Sequence, residues 1–427
     1  MSVAERSPLA EIEQTVQHRA KESSIDVKRP EGLAQLEALI SDEVDRWNIE
    51  HRRGLRPYPL ADPEGVADRA LRNLTGYGPL EPLLADDDVW EIMVNSPDAI
   101  FVKRHHGPSG VHDEVFHDDE HVLRILTKIL DDASSAHRKL DPAEGLQDAQ
   151  LDNGARLHIV HGDVARGGHV IVNIRKFTGV PLRSLDELVE RATITKAGAR
   201  FLATCVRART SIVFAGAPGS GKTTMLACCA AELDPALRVV VAEEVFEADL
   251  ALMNVAQMQT RAARADRPAI DLRRLVSGFL RMAPDVAIVG EVRDREALPL
   301  LLTLSSGVKG FTTIHAGSAR LALTRLRFVC QLAESALPTS ALNHLVAEAI
   351  DLVVHTERVG NVVEVSEILA VEDLIGSADS VHFTVTELFG RSGRGQPLRW
   401  TGHVPVRLGR LLATAGVDAI ALLEEGR

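Results

Sequence analysis

Residues 216–223 read Gly216-Ala-Pro218-Gly219-Ser220-Gly221-Lys222-Thr223, a complete G-x-x-x-x-G-K-[ST] run. The apolar stretch Ser211–Ala215 before it predicts a strand, and Thr223–Leu233 after it predicts a helix. That flanking context is what gives the motif meaning: strand, tight glycine turn, helix. The glycines let successive backbone N–H groups turn inward around phosphate oxygens. The helix N-terminus adds partial positive charge. Lys222 has the reach for β- and γ-phosphates, the Thr223 hydroxyl suits Mg²⁺, and Thr224 adds an α-phosphate contact. Kinases, GTPases, transporters and motors share such a loop, so it points to a nucleoside triphosphate with Mg²⁺, expected here to be ATP, but does not fix the reaction.

The strands downstream narrow the choice. From Ser184 onward, short and nearly all-apolar stretches alternate with helical ones: Ser211–Ala215, Arg238–Ala242, Val286–Val289 and Gly310–Ile314. Such runs predict a parallel sheet covered on both faces. In parallel sheets ligands gather at the C-terminal strand edge. There Arg238–Ala242 runs into Glu243, Glu244 and Glu247, either a solvated acidic turn or a set of carboxylates for proton abstraction and metal positioning. Val286–Val289 ends in Gly290-Glu291, the pattern of a strand whose acid holds Mg²⁺ or its water shell. Phe311–Ile314 ends in His315, which serves either as a structural histidine or as a sensor of the γ-phosphate. Arg261, Arg264, Arg273, Arg274, Arg281 and Arg293 surround these strands, and the planar fork of arginine suits phosphate.

Ahead of this region the grain differs. Residues 1–30 are polar without clear periodicity and read as a mobile tail. Leu36, Leu39, Ile40, Val44 and Trp47 have helical spacing, for a helix that packs on its own domain or docks a partner. Residues 75–178 read as a small mixed α/β domain, with a helix over 118–136. Its strands lie near Gln147–Leu151, Arg156–Val160 and His169–Phe177, and Asn153-Gly154 marks a hairpin. The expected division is a tail and helical extension over 1–74, the mixed domain over 75–178, a linker over 179–186 and the phosphate-loop domain over 187–427.

Composition excludes several classes. The 427 residues carry a net charge of −12, which argues against sequence-independent nucleic-acid binding. The four cysteines make no C-x-x-C pair, so no zinc module is expected. No signal core or long apolar run is present, so any membrane role passes through a partner.

In order, GAPGSGKTT, VAEEVFE, LRMAPDVAIVGEVRD and GFTTIHAGSARLALTRL resemble the type II/type IV secretion ATPases. GYGPLEPLLADDDVWEIMVN and HVIVNIRKF resemble the CpaF/TadA branch, which assembles Flp-type pili. The resemblance implies a PAS-like mixed α/β N-terminal domain and a RecA-like P-loop NTPase domain. It implies a homo-hexamer at the cytoplasmic face of the inner membrane that drives platform proteins. It puts Glu243 and Glu247 in an acidic box holding the general base, Glu291 at the Walker B acid and His315 in the histidine box. Arg156 and Arg175 fall where N-terminal arginines approach the γ-phosphate. A nucleic-acid or conjugation-related motor is the alternative, and a nucleotide-switched scaffold is a third reading.

Overall fold

The structure is a computed structural model. It describes residues 7–424 apart from 134–138, 152, 177–181, 249, 251, 262, 264–266, 334–336, 361, 375–381 and 394. Arg264 and the first part of the expected linker, 179–181, lie outside the described residues. The backbone divides into two compact units, Met1–Gly179 and Val180–Arg427.

The first unit opens with three helices, α1 (Pro8–Glu22), α2 (Pro30–Arg52) and α3 (Pro63–Thr75). The reading of residues 1–30 as a mobile tail is corrected here for residues 8–22, because α1 is a capped, packed helix; residues 1–6 lie outside the described residues. Pro8 occupies its first turn, and the Ser7 hydroxyl accepts from the Ala10 N–H at 3.3 Å. Leu9, Ile12 and Val16 form a narrow stripe that buries against Leu36, Ile40, Val44 and Trp47 of α2. Glu13 is buried too, accepting from Asn73 Nδ2 at 2.7 Å and lying 2.9 Å from His117 Nε2. A helix this polar depends on such partners, which mean polarity does not reveal.

Next come α4 (Glu81–Ala85), β1 (Val89–Ser96), β2 (Ala99–Arg104), β3 (Gly110–Val111), α5 (Asp119–Asp132), β4 (Leu146–Gln150), β5 (Arg156–Val160) and β6 (Ile171–Arg175). The strands form one antiparallel sheet in the order β3-β2-β1-β6-β5-β4. Alternate residues Leu157, Ile159, Val172 and Ile174 share a core with Ile125, Leu126 and Ile129 of α5. Gly154, at φ +84°, turns the hairpin between β4 and β5.

The second unit contains α6 (Leu185–Glu190), α7 (Lys196–Arg207), β7 (Ile212–Gly216), α8 (Lys222–Ala230), β8 (Val239–Glu243), β9 (Val255–Gln259), α9 (Leu272–Ser277), β10 (Val286–Val289), α10 (Ala297–Ser305) and β11 (Lys309–His315). It continues with α11 (Ala319–Ala333), α12 (Thr339–Ala349), β12 (Leu352–Val359), β13 (Val362–Val371), β14 (Val385–Gly390), β15 (Arg399–Trp400), α13 (Arg407–Thr414) and α14 (Ala419–Glu424).

Its nine strands run β15-β14-β13-β12-β7-β11-β10-β8-β9. The six from β12 to β9 are parallel. The remaining three pair antiparallel, so they extend the expected parallel sheet at one edge into a mixed one. A tight return at Gly360, φ +62°, sends β13 straight back along β12, and a turn that short can join only antiparallel strands. Inserting β11 between the phosphate-loop strand β7 and the acid-bearing strand β10 gives the RecA-like arrangement.

Both faces are covered. Ile212 and Phe214 pack with α7 and α8, while Val213 and Ala215 pack with α10, α11 and α12. All four cysteines are buried in these layers as free thiols. Among the described residues no helix is long and apolar enough to cross a membrane.

Candidate functional site

The phosphate loop leaves β7 at Gly216 and enters α8 at Lys222. Gly216, Gly219 and Gly221 have φ of +154°, +72° and +82°, conformations in which a side chain would strain the backbone. A Cβ on Gly219 would meet nothing within 4 Å, so the apex of the loop is open. The Gly221 N-cap of α8 supplies no side-chain bond, whereas Ser7, Asp62, Asp118, Ser184, Thr195 and Asp271 cap their helices. The first N–H groups of α8 therefore need another acceptor, and an anion in the glycine cradle supplies one.

Parallel pairing brings the other groups to the same edge. His315 ends β11 directly beside Gly216, and Glu291 follows β10 on the next strand over. Lys222 Nζ donates to the Ala217 carbonyl at 2.9 Å and meets His315 Nδ1 at 3.2 Å. His315 Nε2 lies 2.7 Å from Glu291 Oε1. Arg293 then bridges two acids, with Nη2 2.7 Å from Glu291 Oε2 and Nη1 2.8 Å from Glu244 Oε2. With the proton on Nε2, the nitrogen facing Glu291, Nδ1 can accept from Lys222; it also lies 3.2 Å from the Gly216 carbonyl. Burial alone would raise the Glu291 pKa, but the hydrogen bonds from His315 and Arg293 outweigh it and bring the carboxyl down to about 2. Glu291 is thus a fixed anion at any physiological pH.

The two expected acidic-box residues sit in different surroundings. Glu243 is buried, and its Oε1 accepts from the Glu247 and Ala248 N–H groups at 3.1 and 3.0 Å. It holds the loop after β8 in place. Glu247 is half-buried, and its Oε2 accepts from the Thr223 hydroxyl at 3.4 Å. Gly290 explains itself through the same packing: a Cβ there would fall 2.8 Å from Glu243 Cγ, so an Asp before Glu291 would displace Glu243. Gly290→Ala is expected to destabilise the protein by about 1–3 kcal/mol through overpacking and to lower turnover. An unchanged melting temperature would contradict this account of Gly290.

Of the expected ligands, the loop residues Gly216 to Thr224, Glu247, Glu291 and His315 form one cluster, with Glu243 immediately behind it. Arg156 and Arg175 belong to the N-terminal unit, where they face each other in register on β5 and β6. Arg175 Nη2 lies 3.9 Å from Glu91 Oε1. Arg261 and Arg281 donate to the carbonyls of Pro268 and Ser277.

The reading from sequence missed β12. Thr356 of that strand lies beside Gly216 on the side opposite His315, and Arg358 Nε donates to the Gly219 carbonyl at 3.0 Å. The available signal was the polar run His355-Thr356-Glu357-Arg358 after three apolar residues, at the same edge as the other strand-end polar groups.

Residues 73–366 match the family described as type II/IV secretion system protein. A putative conjugal transfer protein of Mycobacterium tuberculosis is 32% identical over 309 residues, covering 70% of this chain and 86% of that one. The type IV secretion system protein PtlH of Bordetella pertussis is 32% identical over 311 residues, covering 65% and 88%. Among solved structures, the VirB11 ATPase from the Brucella suis type IV secretion system, in complex with sulphate, is 24% identical. It matches over 68% of this chain and 94% of that one, with a TM-score of 0.36. With its phosphate loop, acids and histidine brought to one sheet edge, the chain belongs to the type II/IV secretion system family and is an ATPase of that class.

Proposed function

We propose that the chain hydrolyses ATP as the cytoplasmic ring motor, a homo-hexamer, of a pilus-assembly or secretion apparatus. The observation that carries this reading is the unbroken run of contacts from Lys222 through His315 and Glu291 to Arg293, beside the Thr223–Glu247 pair. The cradle fits a triphosphate, because it offers an uncapped helix start, an open glycine apex and one lysine. Lys222 holds the terminal phosphates, and Gly216 to Thr224 wrap them. Thr223 and Glu291 would hold Mg²⁺, which when bound would supply positive charge against the γ-phosphate. Glu247 takes the proton of the attacking water, Glu243 fixes the backbone that carries Glu247, and His315 couples the terminal phosphate to Glu291.

In the N-terminal unit, Arg156 and Arg175 stand opposite each other in register on adjacent strands, and two guanidinium forks so placed suit an anion. The motor acts at the inner face of the membrane through integral platform proteins, and the CpaF/TadA-like segments favour pilus assembly as its task. The relatives named for conjugal transfer favour a second reading, service of a conjugation apparatus. A net charge of −12 opposes direct DNA translocation in either case.

Native mass spectrometry with and without Mg-ATP, run beside phosphate release, tests the proposal. A sixfold assembly with slow basal turnover is expected. Phosphate release no faster than that of Lys222→Ala would overturn it, and tight, salt-sensitive DNA binding would favour the nucleic-acid motor.

A further inference from the structure

We propose that Thr356 and Arg358 of β12 are positioning residues that hold the phosphate loop in its binding shape. The inference rests on reading that loop as the ATP site and adds a second wall to it, contributed by a strand whose Thr356 lies 136 residues beyond Ser220.

Register makes the contact possible. β12 runs parallel to β7, and Thr356 pairs with Gly216 at the point where the chain leaves the sheet. Thr356 and Ser220 are 0% and 1% exposed, so neither hydroxyl has water as an alternative partner. Thr356 Oγ1 lies 3.2 Å from the Ala215 carbonyl and 3.1 Å from Ser220 Oγ. The carbonyl can only accept, so the Thr356 proton goes to it. Thr356 then accepts from Ser220. This two-step relay fixes the Ser220 rotamer between the left-handed Gly219 and Gly221.

Arg358 acts on the next peptide. Its Nε holds the Gly219 carbonyl at 3.0 Å. Because a peptide is planar, this also orients the Ser220 N–H. That N–H closes the turn onto the Ala217 carbonyl at 3.2 Å.

The hairpin leaves no slack on this side. A Cβ on Gly216 would fall 2.2 Å from the Thr356 carbonyl oxygen, and one on Gly221 would fall 2.8 Å from Val363 Cγ1 of β13. The antiparallel extension that turns this sheet from parallel to mixed therefore begins as the rear wall of the phosphate cradle. A threonine merely satisfied inside a strand would affect stability alone; a positioning threonine affects nucleotide affinity.

The experiment measures the Kd of a fluorescent ADP analogue, with KM and kcat for ATP. It compares the full-length wild type with Thr356→Val, Thr356→Ser, Arg358→Gln and Lys222→Ala. Thr356→Val keeps the shape but strands the Ser220 hydroxyl, so binding is expected to weaken about tenfold. KM should rise to match, with kcat within about twofold. Thr356→Ser restores both, and Arg358→Gln weakens binding about threefold. A folded Thr356→Val protein with wild-type Kd and KM overturns the proposal, as does a fall in kcat at unchanged KM. If Thr356→Val does not fold, the exposed Arg358 decides, and a wild-type Kd in Arg358→Gln overturns the proposal. A wild type that binds no better than Lys222→Ala removes the ATP-site reading itself and the inference with it.

Discussion

Lys222→Ala is expected to release phosphate about 10²–10³-fold more slowly than the wild type, with nucleotide affinity lowered as well. Lys222 is 6% exposed, and its ammonium lies against the Ala217 carbonyl and His315 Nδ1 at the glycine cradle. A lysine held there can meet a phosphate oxygen entering the cradle. Removing the lysine therefore leaves the fold little affected and the ligand poorly held. Phosphate release, read beside a thermal melt, separates the two effects. A variant that melts like the wild type and still turns over ATP at a comparable rate would contradict the role given to Lys222.

Glu291→Gln is expected to keep nucleotide binding while turnover drops about 10²-fold. The amide preserves shape and can still meet His315, but it has no charge to offer Mg²⁺ or Arg293. The same substitution has a signature in pH. In the folded protein the Glu291 carboxyl titrates at about 2, below its ordinary 4.5. A depressed carboxyl contributes stability that is fully present above its unfolded pKa and is lost as pH falls through the folded value. The wild type should thus lose melting temperature between about pH 5 and pH 2 more steeply than Glu291→Gln. Parallel curves for the two proteins would mean that the contacts with His315 and Arg293 contribute nothing in solution.

The sequence made some of this legible and hid the rest for physical reasons. The glycine loop declared itself, because no other residue type fits those backbone angles beside Thr356 and Val363. Strands such as Val286–Val289 were plain because burial on both faces leaves only apolar residues. Helix α1 was hidden because its stripe is three residues wide and its remaining burial is polar: Glu13 against Asn73 and His117. The different settings of Glu243 and Glu247 could not be read from spacing. Both sit in one acidic run, and only the fold points one carboxylate back at the chain and the other toward Thr223. Thr356 was hidden by distance along the chain, since strand order places β12 beside β7 and no local pattern encodes strand order.

The most direct test is the structure of the purified chain with Mg²⁺ and a non-hydrolysable ATP analogue. The account predicts the γ-phosphate on Lys222, with the metal between Thr223 and Glu291 and Glu247 facing the position of the attacking water. A triphosphate bound away from the glycine loop, or a metal with neither Thr223 nor Glu291 near it, would contradict it.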